Sequence, residues 1–402
     1  MKRLIALTAA VASAAILYGD GFEPPLYNGT SAGIVLSGQQ GWINPTPGLP
    51  DFRVYDYPAN ALGFASNPLG QGQFIAGICG ANQAYARTQK ANAFGTADVW
   101  TISYMMNAKY NGVPPASNNI SKLSLQPSET AGTFNATAQW PNPQTPTQWH
   151  YGYEVADALG VLNGTNVYPN TQWRFLPTNR WFRFSTTFDV DSREILYTTM
   201  TNIGTGVTYA EQPVAWFLSS GSTPSAIRLF VGGTTAGNAI AIDHLNVRAG
   251  AVVTPDSVTA VRGAAVASGV IRTIESDNVR LHYKPGVVLV SSQEPIQLLV
   301  RARAHETGPA SMTLRIESAA SATAIRQTVA LWNFQTGAYE SIDARQLTTA
   351  DNTITLSIPT NAARFVEPFG TREVRLLLGY KPSGPVLSFP WSAYVDNVLL
   401  TF

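Results

Sequence analysis

Apolar residues recur at every second position in stretch after stretch of this chain, and that period predicts strands with one buried face. Trp100, Ile102, Tyr104 and Met106 share one face of such a stretch, and Phe182, Phe184, Phe188 and Val190 share one face of another, within RWFRFSTTFDV. The pattern returns at Ile227, Leu229 and Val231, at Ile296, Leu298 and Val300, at Ile354, Leu356 and Ile358, and at Val374, Leu376 and Leu378. No stretch of comparable length shows the recurrence of an amphipathic helix with good caps, and Ala-rich residues 81–94 are the best helix candidate. Many short strands punctuated by Gly and Pro predict an all-β chain of sandwiches or barrels.

The chain has 402 residues, more than one ordinary module holds, and includes 33 Gly and 26 Pro. Charged residues are only 13%, too few for a coiled coil or long-helix protein. With 26 basic against 25 acidic residues there is no net field to attract nucleic acid or anionic lipid. A break at AGAVVTPDS, near residues 249–256, divides the chain into two tandem antiparallel β-sandwiches: a jelly roll over 19–250 and a smaller jelly-roll or Ig-like sandwich over 251–402. An internal echo supports the cut. IDHLNV at 242–247 closes the first part and VDNVLL at 395–400 closes the second. Each shifts its apolar parity after the Asp, as a bulged terminal strand does.

At the amino end, Lys2 and Arg3 precede an apolar run from Leu4 to Val11 and the small residues Ala12, Ser13 and Ala14. That order predicts a secretory signal over 1–18 with cleavage near Ala14, hence a secreted protein in the extracellular space, periplasm or cell surface. The run ends at Leu17, short of the ~20 residues a bilayer-spanning helix needs, so no membrane insertion is expected. Cys79 is the one cysteine, which rules out an internal disulfide and reads as a small buried hydrophobe.

Several segments carry a family resemblance. GDGFE at 19–23, RWFRFSTTFDVDSREILYTTM at 180–200, IRLFVGG at 227–233 and AIAIDHLNV at 239–247 make residues about 20–250 similar to the concanavalin A-like lectin/glucanase superfamily, including laminin-G-like domains. ESDNVRLHYKPGVVLV at 275–290, ALWNFQTGAYESID at 330–343 and WSAYVDNVLLTF at 391–402 make the second part resemble carbohydrate-binding-module-like β-sandwiches of secreted bacterial proteins. The resemblance implies a jelly-roll fold and a bias toward glycans. It also nominates Asp243 and Asp396 as ligands of a structural calcium, although an inward Asp on a bulged strand can satisfy backbone amides with no ion.

Retaining glucanases need two carboxyl groups ~5–5.5 Å apart. The nearest string, Asp189 to Glu194, instead reads as a hairpin turn with Asp189 bonding a turn amide. The four His form no zinc pattern, and neither an HExxH nor a G-x-S-x-G motif occurs. No catalytic residue and no cofactor beyond calcium is therefore assigned. Chemistry that survives is aromatic: AQWPNPQTPTQWHYGYE brings Trp140, Trp149, His150, Tyr151 and Tyr153 into an amide-rich setting, with Trp173 shortly after. Flat rings stack on the C–H faces of sugars while amides bond hydroxyls. A second reading makes WHYGYE a strand with Trp149, Tyr151 and Tyr153 on one core face and His150 on the other. Tyr55 and Tyr57 in RVYDYPAN are a poorer aromatic candidate. The expectation is an exported, non-catalytic protein that binds a carbohydrate or glycoconjugate by aromatic stacking. Two alternatives stand beside it: a polysaccharide hydrolase or lyase using Glu154, Asp157 or Glu194, and a structural cell-surface or matrix spacer.

Overall fold

The computed structural model of the chain describes residues 16–69, 72–80, 86–91, 97–110, 119–126, 133–141, 145–232, 236–384 and 391–402. They form two compact units, Ile16–Ala251 and Val252–Phe402, each a pair of antiparallel sheets. Residues 1–15, which hold most of the expected leader, lie outside the described ones. The stretch Ile16–Asp20 is already a strand, paired with the segment Leu245 to Arg248.

In the first unit, a nine-stranded sheet runs in the order Thr208–Glu211, Ile195–Asn202, Phe182–Asp189, Val99–Tyr110, Asn238–Ala249, Gln73–Ile78, Arg53–Asp56, Ile34–Val35, with Ile16–Asp20 also beside Asn238–Ala249. Its eight-stranded partner runs Leu162–Val167, Gln148–Ala156, Phe134–Gln139, Asn119–Gln126, Ala226–Val231, Ala86–Ala91, Trp42–Ile43, with Leu176–Pro177 beside Gln148–Ala156. The predicted alternation holds. Trp100, Ile102, Tyr104 and Met106 point into the core with Phe182, Phe184, Phe188 and Val190 from the neighbouring strand and turn, and Ile227, Leu229 and Val231 face them from the other sheet. Between the layers the Tyr151 ring stacks on Phe184 with centroids 3.6 Å apart, and Phe134 stacks on Phe188 at 5.3 Å. The Tyr153 hydroxyl lies 3.0 Å from Thr186 Oγ1, so its buried polar end is satisfied. Cys79 belongs to this core.

One expectation needs correcting here. Within the Ala-rich segment proposed as a helix, residues 86–91 form a strand, bonded on one side to Ala226–Val231 and on the other to Trp42–Ile43. Ala86 and Thr88 alternate inward, and two partner strands outweigh the helix propensity of alanine. Residues 81–85 and 92–94 of that expectation are outside the described ones.

The second unit pairs a five-stranded sheet with a six-stranded one. The first runs Ser257–Arg262, Ile296–Arg303, Glu373–Pro382, Ile325–Asn333, Ala338–Gln346. The second runs Ala264–Ala267, Leu281–Lys284, Ala393–Thr401, Met312–Ala320, Asn352–Ile358, with Val252–Val253 also beside Ala393–Thr401. Leu298, Val300, Val329, Leu331, Leu376 and Leu378 are buried on one face of the five-stranded sheet, and Leu314, Ile316, Val398 and Leu400 are buried on the other sheet. A polar contact crosses between the layers: Gln327 Nε2 donates to Ser318 Oγ at 3.1 Å and to the Tyr380 hydroxyl at 3.0 Å.

Both echoed terminal strands carry their bulge. Asn238–Ala249 shifts register against Val99–Tyr110 between Asp243 and Asn246, where His244 takes φ +45°. In the second unit the register of Met312–Ala320 against Ala393–Thr401 steps from Asn397 to Val395, leaving Asp396 as the extra residue.

Trp149 tests the aromatic core of the first unit, because its ring meets Phe182 and Phe184 edge-on and its indole N–H donates to the Pro177 carbonyl at 3.2 Å. Trp149→Ala is expected to lower the stability of this unit by about 3–5 kcal/mol, read from denaturant unfolding.

Candidate ligand-binding face

The six residues singled out for stacking in the first unit are enclosed. Trp149, Tyr151, Tyr153 and Trp173 have no exposed surface, Trp140 is 2% exposed and His150 is 4% exposed. The strand Gln148–Ala156 explains most of this, since Trp149, Tyr151 and Tyr153 share the parity of Val155 and all four enter the core. Trp140 closes the core edge, packing edge-on against Tyr110 and donating to Asn238 Oδ1 at 3.0 Å. Trp173 ends a short 3-10 turn whose Gln172 amide donates to the capping Asn170 Oδ1 at 2.6 Å. These rings offer no free face to a sugar, and the stacking role expected of them is corrected on that ground. Tyr55 and Tyr57 are likewise buried, under Phe74.

His150 takes the opposite parity, as the strand reading requires, but is covered by Phe175 and Tyr168 with ring centroids 4.8 and 5.4 Å away. Burial first, and then the charge of Arg174, hold its pKa down at about 4, and its Nδ1 has no hydrogen-bond partner among the described residues. Asp189 acts as the turn residue anticipated: its Oδ1 accepts from the amides of Asp191 and Ser192 at 2.8 and 3.2 Å. Asp157 does the same for Leu159 and Val161 at 2.8 and 2.9 Å.

An open aromatic face lies on the second unit. The five-stranded sheet buries one face and leaves the other open, as the strict alternation along Ile296–Arg303 and Ile325–Asn333 shows. Across this open face Ser257 pairs with Arg301, Arg301 with Arg375, and Trp332 with Tyr339. The pairing of Leu331 with Leu376 sets Trp332 beside Arg375, whose guanidinium carbon lies 5.9 Å from the indole ring. The five residues form one row over four interstrand spacings, ~19 Å long. Trp332 and Tyr339 meet edge-on at 5.0 Å; Trp332 is half-buried and Tyr339 is 38% exposed.

At the Arg301 end of the row opens a cavity of ≈ 470 Å³, walled by Asp256, Arg301, Arg303, Glu373, Arg375 and the loop of Glu367, Phe369 and Thr371. Glu373 is its hinge. Its Oε1 is 3.0 Å from Arg301 Nε and its Oε2 is 2.6 Å from Arg375 Nε, so one carboxylate fixes two guanidiniums. Glu367 is closed by its own loop, accepting from the amides of Phe369, Thr371 and Arg372. Those three bonds and the Thr371 hydroxyl hold its pKa below the usual carboxylate range against the opposing effect of burial. Burial pushes the Asp256 carboxyl up, while Arg303 opposes the rise. At the other end of the face Glu294 lies across Gly379, where any Cβ would collide with its carboxylate, and bonds Thr328.

The two Asp nominated for calcium differ. Asp243 is wholly buried and ringed by donors: the Tyr57 hydroxyl and Asn67 Nδ2 reach Oδ2, and the His244 amide reaches Oδ1 at 2.8 Å. Donors of that kind do not fit a cation. Asp396 is 1% exposed; Oδ2 accepts from the Asn278 amide at 3.0 Å and Oδ1 is enclosed without a partner among the described residues. Carboxylate oxygens of Glu317, Asp351 and Asp396 lie within 4.8 Å of one another, and Asp351 Oδ1 is also unpartnered. Burial, joined by the charges of Glu317 and Asp351, raises the Asp396 pKa to about 6. Asp351 Oδ2 is already paired with Arg280 at 2.8 Å and Glu317 Oε2 accepts from Ser276, so the oxygens open to a hard divalent ion among the described residues are Oδ1 of Asp396 and Oδ1 of Asp351.

The class defined is an all-β protein of two antiparallel sandwiches, with an open aromatic and charged sheet face on the second. No family model matches the chain, and no curated protein matches it. Among solved structures it is similar to a carbohydrate esterase from Shiga toxin-encoding bacteriophage phi24B, at 14% identity over 59% of this chain and 99% of that one, with a TM-score of 0.38. It is similar to lectin II from Ulex europaeus at 10% identity over 54% and 95%, TM-score 0.30. The tandem CBM22-1–CBM22-2 domain of Paenibacillus barcinonensis Xyn10C covers 98% of this chain and 99% of its own at 13% identity, TM-score 0.25. Likenesses this distant assign neither ligand nor activity.

Trp332 and Tyr339 lie within ALWNFQTGAYESID, a segment that carries the family resemblance and whose composition alone does not mark them as site residues. Parity could have found Trp332. Val329 and Leu331 fix the core phase of their strand, and a large aromatic one position out of phase must face outward.

Proposed function

We propose that the protein binds carbohydrate on the open face of the five-stranded sheet, with Trp332 and Tyr339 as the stacking surface, Arg301 and Arg375 as the polar partners, and Glu373 holding the two arginines in place. The observation that carries this reading is the single row that joins an accessible aromatic pair to a cavity dense in hydrogen-bonding groups. A sugar asks for that combination, since its C–H faces are apolar while its rim carries hydroxyls. The first unit then serves as a support whose aromatics are spent on its own core. The basic, apolar and small residues at 2–14 support export.

Calcium in this reading is structural and belongs to the second unit, where Glu317, Asp351 and Asp396 would hold it. Its charge would offset the mutual repulsion of three carboxylates at the bulge that ends the last strand. It would leave the open face, on the other sheet, chemically unchanged.

Two measurements check these statements. In affinity electrophoresis of the full chain through immobilised polysaccharides, Trp332→Ala and Tyr339→Ala should each weaken retention about tenfold or more, as a loss of ~1.4 kcal/mol implies, with thermal unfolding unchanged. Unaltered retention in both variants, or no retention of the parent by any polysaccharide, would remove the reading. For the ion, calcium at a hundredfold excess over its Kd should stabilise the parent by about 2.7 kcal/mol relative to a chelator, seen as a rise in Tm. Asp396→Asn should abolish that rise and Asp243→Asn should keep it; a parent Tm indifferent to calcium rejects the site.

A further inference from the structure

We infer that the glycan recognised by this face is an acidic one, carrying the carboxylate of a uronic acid that docks on the paired guanidiniums of Arg301 and Arg375. The inference rests on the carbohydrate-binding reading above and narrows its ligand class. Charge is scarce in this chain, at 13% of residues, yet six of the ten residues lining the cavity are charged. Such a concentration on an otherwise charge-poor molecule points to a charged ligand.

Over the whole cavity three arginines balance three carboxylates, so the sign is set by which groups remain open to a ligand. Glu367 is engaged by the amides of its own loop, and the charge of Arg303 acts on Asp256. Glu373 is shared by two arginines, and that trio on its own sums to one positive charge. Both arginines contact Glu373 through Nε alone, and among the described residues no hydrogen bond engages their four terminal nitrogens. Arg301 and Arg375 remain 42% and 36% exposed, so these donors are reachable.

A guanidinium held at one edge presents its other edge as a planar fork, the geometry that matches a carboxylate with two parallel N–H···O bonds. A neutral sugar could take single bonds from these donors but would leave the trio's charge unanswered. A uronate would answer it, and the ring bearing that carboxylate would lie along the row toward Trp332, which sits one strand from Arg375. Glu373 is then a positioning residue: it orients both forks and touches no ligand.

The experiment compares the full chain on polygalacturonate, alginate and glucuronoxylan with the same polymers after carboxyl reduction, which keeps each backbone and removes its charge. At least one acidic polymer should be bound about tenfold or more tightly than its reduced form, with an affinity that falls as salt rises. Arg301→Gln should weaken binding of the acidic form by more than it weakens binding of the reduced form, so that the ratio between the two affinities falls toward one. Equal affinity for acidic and reduced polymers overturns the inference, as does a preference left undiminished by Arg301→Gln. Retention of neutral polymers alone also overturns it while the carbohydrate reading stands, and retention of none sinks both. The comparison of polymers involves no substitution, so it decides the matter even if the variant fails to fold.

Discussion

A β-strand has two faces, and in a sandwich one of them is committed to the core. Everything in this protein follows from which residues that rule consumes. The chain has a single cysteine and little charge, so stability must come from apolar burial between paired sheets. In the first unit the burial is aromatic: Tyr151 on Phe184, Phe134 on Phe188, Trp149 across Phe182 and Phe184. In the second it is mainly aliphatic, built from the Leu, Ile and Val of nine-residue and ten-residue strands, with Tyr283, Phe365, Tyr380 and Trp391 buried among them.

Aromatic residues therefore mean different things in the two units. A Trp in phase with Val155 is part of the wall that holds two sheets together, and its removal opens a cavity. Trp332 stands out of phase with Val329 and Leu331, so it has no core to enter and lies along the open side of its sheet. Around it the backbone register does the positioning. Arg301, Arg375, Trp332 and Tyr339 come from four different strands, and strand pairing alone brings them into line. Glu373 then ties two of the four together.

Much of the architecture was legible because period-2 patterning is a direct record of burial. Ile296, Leu298 and Val300, or Val374, Leu376 and Leu378, are buried as their spacing requires, and the parity shifts after Asp243 and Asp396 do mark bulges. The strand at 86–91 was not legible, because alanine is compatible with a helix until two neighbouring strands claim it. The ligand face was misplaced for a related reason. A dense run such as QWHYGYE attracts attention by composition, whereas availability depends on phase, and Trp149, Tyr151 and Tyr153 are in phase with the core. The Arg301–Glu373–Arg375 trio joins residues over seventy positions apart along the chain, and no local pattern announces it. The difference between Asp243 and Asp396 was equally hidden, since it lies in what surrounds them: Tyr57 and Asn67 around the one, Glu317 and Asp351 around the other.

The division of labour between enclosed and open rings can be observed directly in the nine indole N–H signals of the full chain. Titration with a retained polysaccharide, followed by two-dimensional NMR, should displace the Trp332 signal and leave those of Trp140, Trp149 and Trp173 in place. Displacement of the three buried indoles with Trp332 unmoved would contradict the account.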